Sequence, residues 1–480
     1  MWLLIAVISS LFLLKRLYKG PPRRRFHPPS PRKTPTTFRS KKRLPDNLVI
    51  TEEFQKAFDL MEKTPSCAYI TGKAGTGKST LLTWFRQNTR KHCVVLAPTG
   101  IAAITVEGAT INSFFGFPPR LIRKTSIRPD ENRRPLFQRL EMIIIDEISM
   151  VSPAVLDGID YSLRLHRQCT RPFGGVQLIF FGDLYQLPPV ISKDQAAYFE
   201  AQFGGIYFFN ALVFREINFA YLELQTIFRQ KDQQFKQALN NIRDNTVTTE
   251  DLDLINSRYH PQPVPASAHP PLTLATNIPL TLTTTNKLAD SISKAKMSEL
   301  SGKEYIFPAK IQGGIDPSAY PADLLLTLKR GARVILLKND PQKRWVNGTM
   351  GVVTQISDSG ISVEISGSVY PLDRATWEVI EYRYHSGSNN IEATVAGSFS
   401  QFPVKAAWAI TIHKSQGLTF ERIIVDLGDG AFVHGQTYVA LSRCTSLEGL
   451  ILTKPVRRKD IILDAKVRNF IRAQTAVVSP

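Results

Sequence analysis

The stretch Gly72-Lys73-Ala74-Gly75-Thr76-Gly77-Lys78-Ser79 constrains this chain more than any other. It has the pattern G-x-x-x-x-G-K-[ST], which needs a strand before it and a helix after it to act on phosphate. Both are in place. The run Cys67-Ala68-Tyr69-Ile70 reads as a short buried strand, and Thr80-Leu81-Leu82-Thr83-Trp84-Phe85 reads as a helix. Glycines let the backbone curl so that amide N–H groups face phosphate oxygens, and the helix N-terminus adds its dipole. Lys78 then reaches the β- and γ-phosphates, and the Ser79 hydroxyl ligates Mg²⁺. Gly72, Gly75, Thr76, Gly77, Lys78, Ser79 and Thr80 form the expected cradle, with ATP and Mg²⁺ as the expected ligands.

A phosphate loop of this kind needs an acid at the end of a neighbouring strand. Met142-Ile143-Ile144-Ile145-Asp146-Glu147 supplies one: a fully apolar run, as buried parallel strands show, closing in two carboxylates. Asp146 is expected to hold the Mg²⁺ shell, and Glu147 to accept a proton from the attacking water. A third strand, Val176–Phe181, runs into Gly182-Asp183-Leu184-Tyr185-Gln186-Leu187-Pro188-Pro189. Gln186 is a neutral group able to hydrogen-bond the γ-phosphate. On chemistry alone, a glutamine in a Pro-stiffened loop is more often structural.

The order of further motifs makes the reading specific. Ala97-Pro98-Thr99-Gly100-Ile101-Ala102-Ala103 and Asp146-Glu147-Ile148-Ser149-Met150 are followed by Pro172–Leu178, Gly182–Val190, Trp408–Gly417 (WAITIHKSQG) and Gln436–Arg443 (QTYVALSR). Over about positions 47–460 the chain resembles the petite-integration-frequency (Pif-type) family of superfamily-1 DNA helicases, related to the RecD-type motors. The resemblance implies an α/β fold: two RecA-like domains with parallel sheets, ATP between them and single-stranded DNA crossing both. It also implies roles. Arg229 and Arg443 match the family's γ-phosphate-contacting arginines, and Gln186 its phosphate sensor. Gln55 sits where the family reads adenine. Thr99, Gly100, Thr411, His413, Lys414 and Gln416 match segments lining the DNA channel. The segment after Met150 is closest in style to bacterial members.

Between Gly331 and Ala407, short alternating runs such as Val352–Ile356 and Ile361–Ile365 are punctuated by Gly and Asp-Ser-Gly turns, reading as a small antiparallel insertion. The family carries a compact β-barrel at this point. Expected boundaries are 46–225 for the first RecA-like domain, 226–340 with 401–480 for the second, and 341–400 for the insertion. Little chain follows Leu450-Ile451-Leu452, too little for an accessory C-terminal domain. The aromatic segment Phe114, Phe115 and Phe117 offers base stacking or strand separation, with packing under a loop the favoured reading.

The function expected is ATP-dependent movement on single-stranded DNA, 5′ to 3′ by family resemblance, with unwinding of tailed duplexes in DNA repair, recombination or replication. An RNA helicase or RecD-like processing subunit is one alternative. A membrane-tethered DNA-binding protein with a degenerate ATPase is another, opposed by the intact Lys78, Asp146, Glu147, Gln186 and Arg443 set. A monomer is expected.

Charge adds less than it first suggests. The 480 residues carry 60 Lys and Arg against 41 Asp and Glu, a net +19. Twelve of the basic residues lie in positions 15–43, where there is no acid, leaving 48 against 41 elsewhere. The motor's affinity for DNA therefore rests on its motifs. The basic tail follows an apolar run, Trp2–Leu14, whose thirteen residues would reach about 20 Å as a helix, short of a ~30 Å hydrocarbon core. Snorkelling of Lys15 and Arg16 extends it enough to span. Residues 1–18 are thus read as a membrane anchor first, with a transit peptide or an incidental leader behind, and 19–45 as a disordered Pro/Arg-rich linker. The four cysteines, at 67, 93, 169 and 444, include no C-x-x-C pair, which excludes a disulfide scaffold and a zinc ribbon. An intracellular, cytoplasmic location follows, tethered or in an organelle if the leader acts as anchor or transit peptide.

Overall fold

The computed structural model describes residues 44, 48–118, 121–227, 232–260, 279–315, 317, 320–342, 344–345, 347–385 and 390–478. The expected leader at 1–18 lies outside them, as does the linker at 19–45 apart from Leu44. Among the described residues, no helix is long and apolar enough to cross a membrane.

Six parallel strands form the first sheet: β1 (Cys67–Gly72), β2 (Cys93–Ala97), β3 (Ala109–Thr110), β4 (Met142–Ile145), β5 (Gln177–Phe181) and β6 (Phe219–Leu224), in the order β3-β2-β4-β5-β1-β6. β2, β4 and β5 are buried along their whole length, as the apolar runs of β2 and β4, and of β5 beyond Gln177, require. Period-2 geometry splits each run between two cores. Ala68, Val95, Ile144 and Ile179 face helix α1 (Glu52–Lys63) and helix α2 (Lys78–Asn88), which bury Phe54, Met61, Leu81 and Phe85 against them. Tyr69, Val94, Ile143 and Phe180 face the Pro153–Arg167 helix, which buries Leu156, Ile159 and Leu163.

A second parallel sheet is built from four short strands. Its order is Ala409–Thr411, Leu280–Thr283, Ile423–Asp426 and Leu450–Leu452. The Gln233–Asp244 and Gln436–Ser442 helices pack on it through Phe235, Leu239, Ile242, Val439 and Leu441. The same core takes in Ala74 from the phosphate loop and Leu187 from the loop after β5, so it reaches across to the first sheet.

Antiparallel strands interrupt the second sheet between Leu280–Thr283 and Ala409–Thr411. Five of them order as Ser368–Leu372, Gly360–Ile365, Met350–Ser357, Arg333–Leu336 and Val404–Ala406 around a core containing Val334, Val353, Val363 and Val404. A long hairpin, Ala375–His385 with Asn390–Gln401, leaves this layer and reaches the first sheet's core. There Tyr382 is buried: its hydroxyl accepts from the Val95 amide at 3.4 Å, and its ring lies 5.9 Å from that of Phe114. Phe114, Phe115 and Phe117 are themselves buried against one another and Phe137, so they pack rather than offer rings to bases. The Ala465–Val478 helix also returns to the first core, stacking Phe470 on Phe209 at 4.2 Å.

Candidate nucleotide and nucleic-acid site

β1 ends at Gly72, and the chain turns through five residues into α2. Gly77 caps that helix at φ 84°, a left-handed conformation that a side chain would strain. The turn leaves Lys78 at the first helical position. Its ammonium donates to the carbonyls of Gly72 at 2.6 Å and Lys73 at 3.1 Å. Desolvation holds Lys78 below the usual lysine range, opposed by the nearby carboxylates of Asp183, Glu147 and Asp146. Those acids follow β5, which adjoins β1, and β4 on its far side. Sheet order alone thus gathers lysine and acids at the C-terminal edge, the binding edge of open α/β sheets. Thr76 is buried with its hydroxyl on the Lys73 carbonyl at 3.0 Å, while Ser79 is exposed at the helix start. Thr80, next along α2, is half-buried.

Glu147 adopts a left-handed φ of 52°, the strained backbone of a residue placed for its side chain. Burial pushes its carboxyl above the usual range, and Lys78, Gln416 and Arg443 work against that rise. A raised carboxylate suits a general base. Gln186 is buried, its amide donating to Asp183 Oδ2 at 3.1 Å. Asp183 also accepts from the Tyr185 amide at 3.1 Å and meets Arg243 at 3.4 Å.

The second sheet closes over this edge. Tyr438 accepts at its hydroxyl from the Ala74 amide of the phosphate loop at 3.1 Å, a buried bond. Gln416 donates to Glu147 Oε2 at 2.9 Å. Arg443 is fully buried, donating to the carbonyls of Val439 at 3.0 Å and Leu418 at 3.1 Å, and to the Ser442 hydroxyl at 3.0 Å. Its charge acts on Glu147, but its guanidinium is taken up by its own domain. Arg229 lies outside the described residues. Gln55 stands on the exposed side of α1, donating to Asp59 at 2.9 Å.

The nucleic-acid candidates fall at two strand ends. Thr99 follows β2 and caps the Gly100–Thr105 helix, accepting from the Ala102 amide at 3.2 Å; Thr99 is exposed and Gly100 buried. Thr411 ends its strand buried, accepting from the Lys414 amide at 3.4 Å. Burial lowers the His413 imidazole below its usual range, which favours the neutral ring. Lys414 is exposed. Gln416, grouped with these by sequence, donates its amide to Glu147.

The donors present fit a hard cation that takes oxygen ligands: the exposed Ser79 hydroxyl at the start of α2 and the Asp146 carboxylate closing β4. Among the described residues, no three His, Cys, Asp or Glu side chains form a metal cage. A Mg²⁺ ion held by these two residues would draw the rest of its shell from phosphate and water.

Sequence reasoning missed three residues here. Asp183 and Tyr438 lay inside quoted motifs without being singled out, and Arg243 lay in a helix that carried no motif. For Arg243, the one available signal was a basic residue on the apolar face of a helix, at four residues from Leu239.

Comparison with known proteins agrees with this arrangement. The family model described as PIF1-like helicase matches residues 49–253. The ATP-dependent DNA helicase Pif1 of Bdellovibrio bacteriovorus is 30% identical over 88% of this chain and 92% of its own length. The human ATP-dependent DNA helicase PIF1 is 32% identical, over 80% of this chain and 57% of its own. The crystal structure of Bacteroides sp. Pif1 in complex with ADP-AlF4 superposes with a TM-score of 0.81 at 38% identity, covering 90% of this chain and 98% of that one. Bacteroides Pif1 bound to single-stranded DNA gives 0.66 at the same identity and coverage.

Proposed function

The chain belongs to the PIF1-like helicase family, and on that premise we infer that it is an ATP-dependent DNA helicase. One observation supports the mechanism: the phosphate loop and its carboxylates on the first sheet are met from the second by Tyr438, Gln416 and Arg243. A nucleotide held there touches two bodies that each carry part of its site. Its binding free energy therefore draws them together, and hydrolysis lets them part.

Lys78 exchanges the Gly72 and Lys73 carbonyls for β- and γ-phosphate oxygens, while the loop glycines and Thr76 and Thr80 shape the cradle. Ser79 and Asp146 would hold Mg²⁺, which would supply positive charge to offset that of the phosphates. Glu147 takes the proton of the attacking water, and Gln186 bonds the γ-phosphate through its amide. Arg443, released from the Val439 and Leu418 carbonyls, and Arg229 supply planar, permanently charged groups to the transition state. Gln55 reads the adenine.

Single-stranded DNA lies across Thr99, Gly100, Thr411, His413, Lys414 and Gln416, whose hydroxyls, amides and lysine hold phosphates without reading sequence. Each ATP cycle ratchets one domain along single-stranded DNA, so that the protein moves 5′ to 3′. The two motor domains are 46–225 and 226–340 with 401–480, and 341–400 is the small insertion. The protein acts as a monomer on tailed duplexes in DNA repair, recombination or replication inside the cell, with residues 1–18 as its membrane contact.

Unwinding of duplexes with either a 5′ or a 3′ tail tests activity and polarity together. The 5′-tailed duplex is opened with ATP and the 3′-tailed one is not. Opening of neither overturns the helicase reading, and preference for the 3′ tail overturns the polarity. Stimulation of ATP turnover by single-stranded RNA as strong as by DNA would favour an RNA helicase.

A further inference from the structure

Arg243 is a buried cation to which the mechanism above gives no chemical step. It projects from the Gln233–Asp244 helix of the second domain into the loop after β5, which carries Gln186. Its guanidinium stands 3.4 Å from Asp183 and 3.5 Å from Glu223, the latter near the end of β6, and 3.2 Å from Asp244 on its own helix. It also lies 3.9 Å over the ring of Tyr185. Three carboxylates and an aromatic face around one guanidinium make a built site rather than a surface pairing, and a buried pair of this kind is strongly destabilised when one partner is removed.

The two oxygens of Asp183 have different tasks. Oδ1 faces Arg243, and Oδ2 accepts from Gln186 Nε2 at 3.1 Å. A glutamine amide has two N–H donors on one side and a carbonyl on the other, and its orientation is set by its partners. Paired with a guanidinium, Asp183 presents acceptor oxygens only. It therefore takes one N–H of Gln186 and leaves the second to donate to a phosphate oxygen. Were the amide turned over, its carbonyl would meet the phosphate and repel it.

The backbone of the same loop is seated on the second domain as well. His434 donates from Nε2 to the Leu184 carbonyl at 2.7 Å, its Nδ1 being occupied as acceptor from the Asp464 amide at 3.1 Å. Gly435, at φ 72°, approaches so closely that a Cβ there would lie 2.4 Å from the Tyr185 carbonyl oxygen and 2.7 Å from that of Gln186. The loop thus rests in a socket made by Arg243, His434 and Gly435, all from the domain that must move.

We propose that Arg243 is a positioning residue for phosphate sensing: through Asp183 it fixes the amide orientation of Gln186, and it does so only when the second domain is seated on the loop. This rests on the ATPase reading and on Gln186 as the residue that meets the γ-phosphate. Sensing and domain position then become one event, because the group that orients the sensor belongs to the opposite side of the cleft.

The test is a double-mutant cycle on DNA-stimulated ATP turnover with the full chain. Arg243→Ala is expected to lower kcat by about tenfold or more while KM for ATP stays within about threefold. Combined with Gln186→Ala, it is expected to lower kcat by less than about threefold beyond Gln186→Ala alone, since the two act as one unit. A general structural role predicts the opposite, losses that multiply in the double variant, and that result overturns the proposal. Unchanged kcat in Arg243→Ala overturns it equally. Arg243→Lys, which keeps the charge but loses the planar fork that sets one nitrogen on Asp183 and Glu223 and the other on Asp244, is run through the same cycle. It replaces Arg243→Ala if that variant does not fold, and the same two patterns decide. Wild-type kcat in Gln186→Ala removes the sensor reading and this proposal with it, whereas a loss there with multiplying effects removes only the role of Arg243.

Discussion

Gln416 donates its side-chain amide to Oε2 of Glu147 at 2.9 Å, joining a residue of the HKSQG segment to the proposed general base across the cleft. The two are 269 positions apart in sequence and come from different sheets. His413 and Lys414, expected at the DNA, lie in the same short 3₁₀ turn that Gln416 closes. Any shift of that turn on binding DNA therefore moves the hydrogen bond on the carboxylate that activates water.

Gln416→Ala cuts this link. The expected result is a fall of about tenfold or more in the ratio of DNA-stimulated to basal ATP turnover, the size of losing a hydrogen bond to a charged group. Steady-state ATPase assays with and without single-stranded DNA measure the ratio. A ratio equal to wild type would detach the turn from the base.

Replacing the base itself separates binding from chemistry. Glu147→Gln removes the proton acceptor but keeps nearly the same shape, so turnover should fall by at least about 100-fold. Affinity for a fluorescent ATP analogue should stay within about threefold, because Lys78 and the loop amides remain. Lys78→Ala should lose both. Wild-type turnover in the Glu147→Gln variant would assign the base elsewhere.

Tyr438 anchors the closed edge by a different bond. Its hydroxyl is the acceptor for the buried Ala74 amide, and the two residues are separated by 364 positions. Tyr438→Phe preserves the ring's packing but leaves that N–H without a partner, costing about 1–3 kcal/mol. Hydrogen exchange at Ala74 should accelerate, and the chemical-denaturation midpoint should fall. Unaltered exchange at Ala74 would mean that the amide does not depend on this hydroxyl.

These relationships mark the boundary between what local pattern records and what it does not. The phosphate loop, Asp146 and Glu147 were legible because strand, turn and helix lie within a few residues of one another. The parallel strands were legible because burial on both faces demands unbroken apolar runs such as Ile143–Ile145. Arg243 was not, since its partner Asp183 lies 60 positions away and nothing near it in the chain distinguishes it from a solvated arginine. The same holds for Tyr382, which alternates along a hairpin like any strand residue yet ends in the core of the other domain. The return of Ala465–Val478 to the first core depends on rings such as Phe209 that its own sequence cannot reveal. Gln416 fell in a recognised motif, but motif membership indicates a region, and only the fold shows that its amide reaches Glu147.

The socket under the sensor loop also carries a pH dependence whose sign is fixed by burial. His434 is buried, and desolvation holds its imidazole below the ordinary value of 6.5, with the Leu184 carbonyl, Asp464, the Ile462 backbone and Asp183 pulling the other way. The folded protein therefore binds fewer protons here than the unfolded chain. Its stability is full above about 6.5 and is lost progressively as pH falls from there toward the depressed folded value. Protonation would also place a second donor at Nδ1, against the Asp464 amide that now donates to it. His434→Gln removes the titrating group while keeping an amide N–H within reach of Leu184. Between pH 7.5 and pH 5 its melting temperature should fall less than that of the wild type, although the variant begins lower at pH 7.5. Parallel declines in the two proteins would assign the acid sensitivity to groups other than His434.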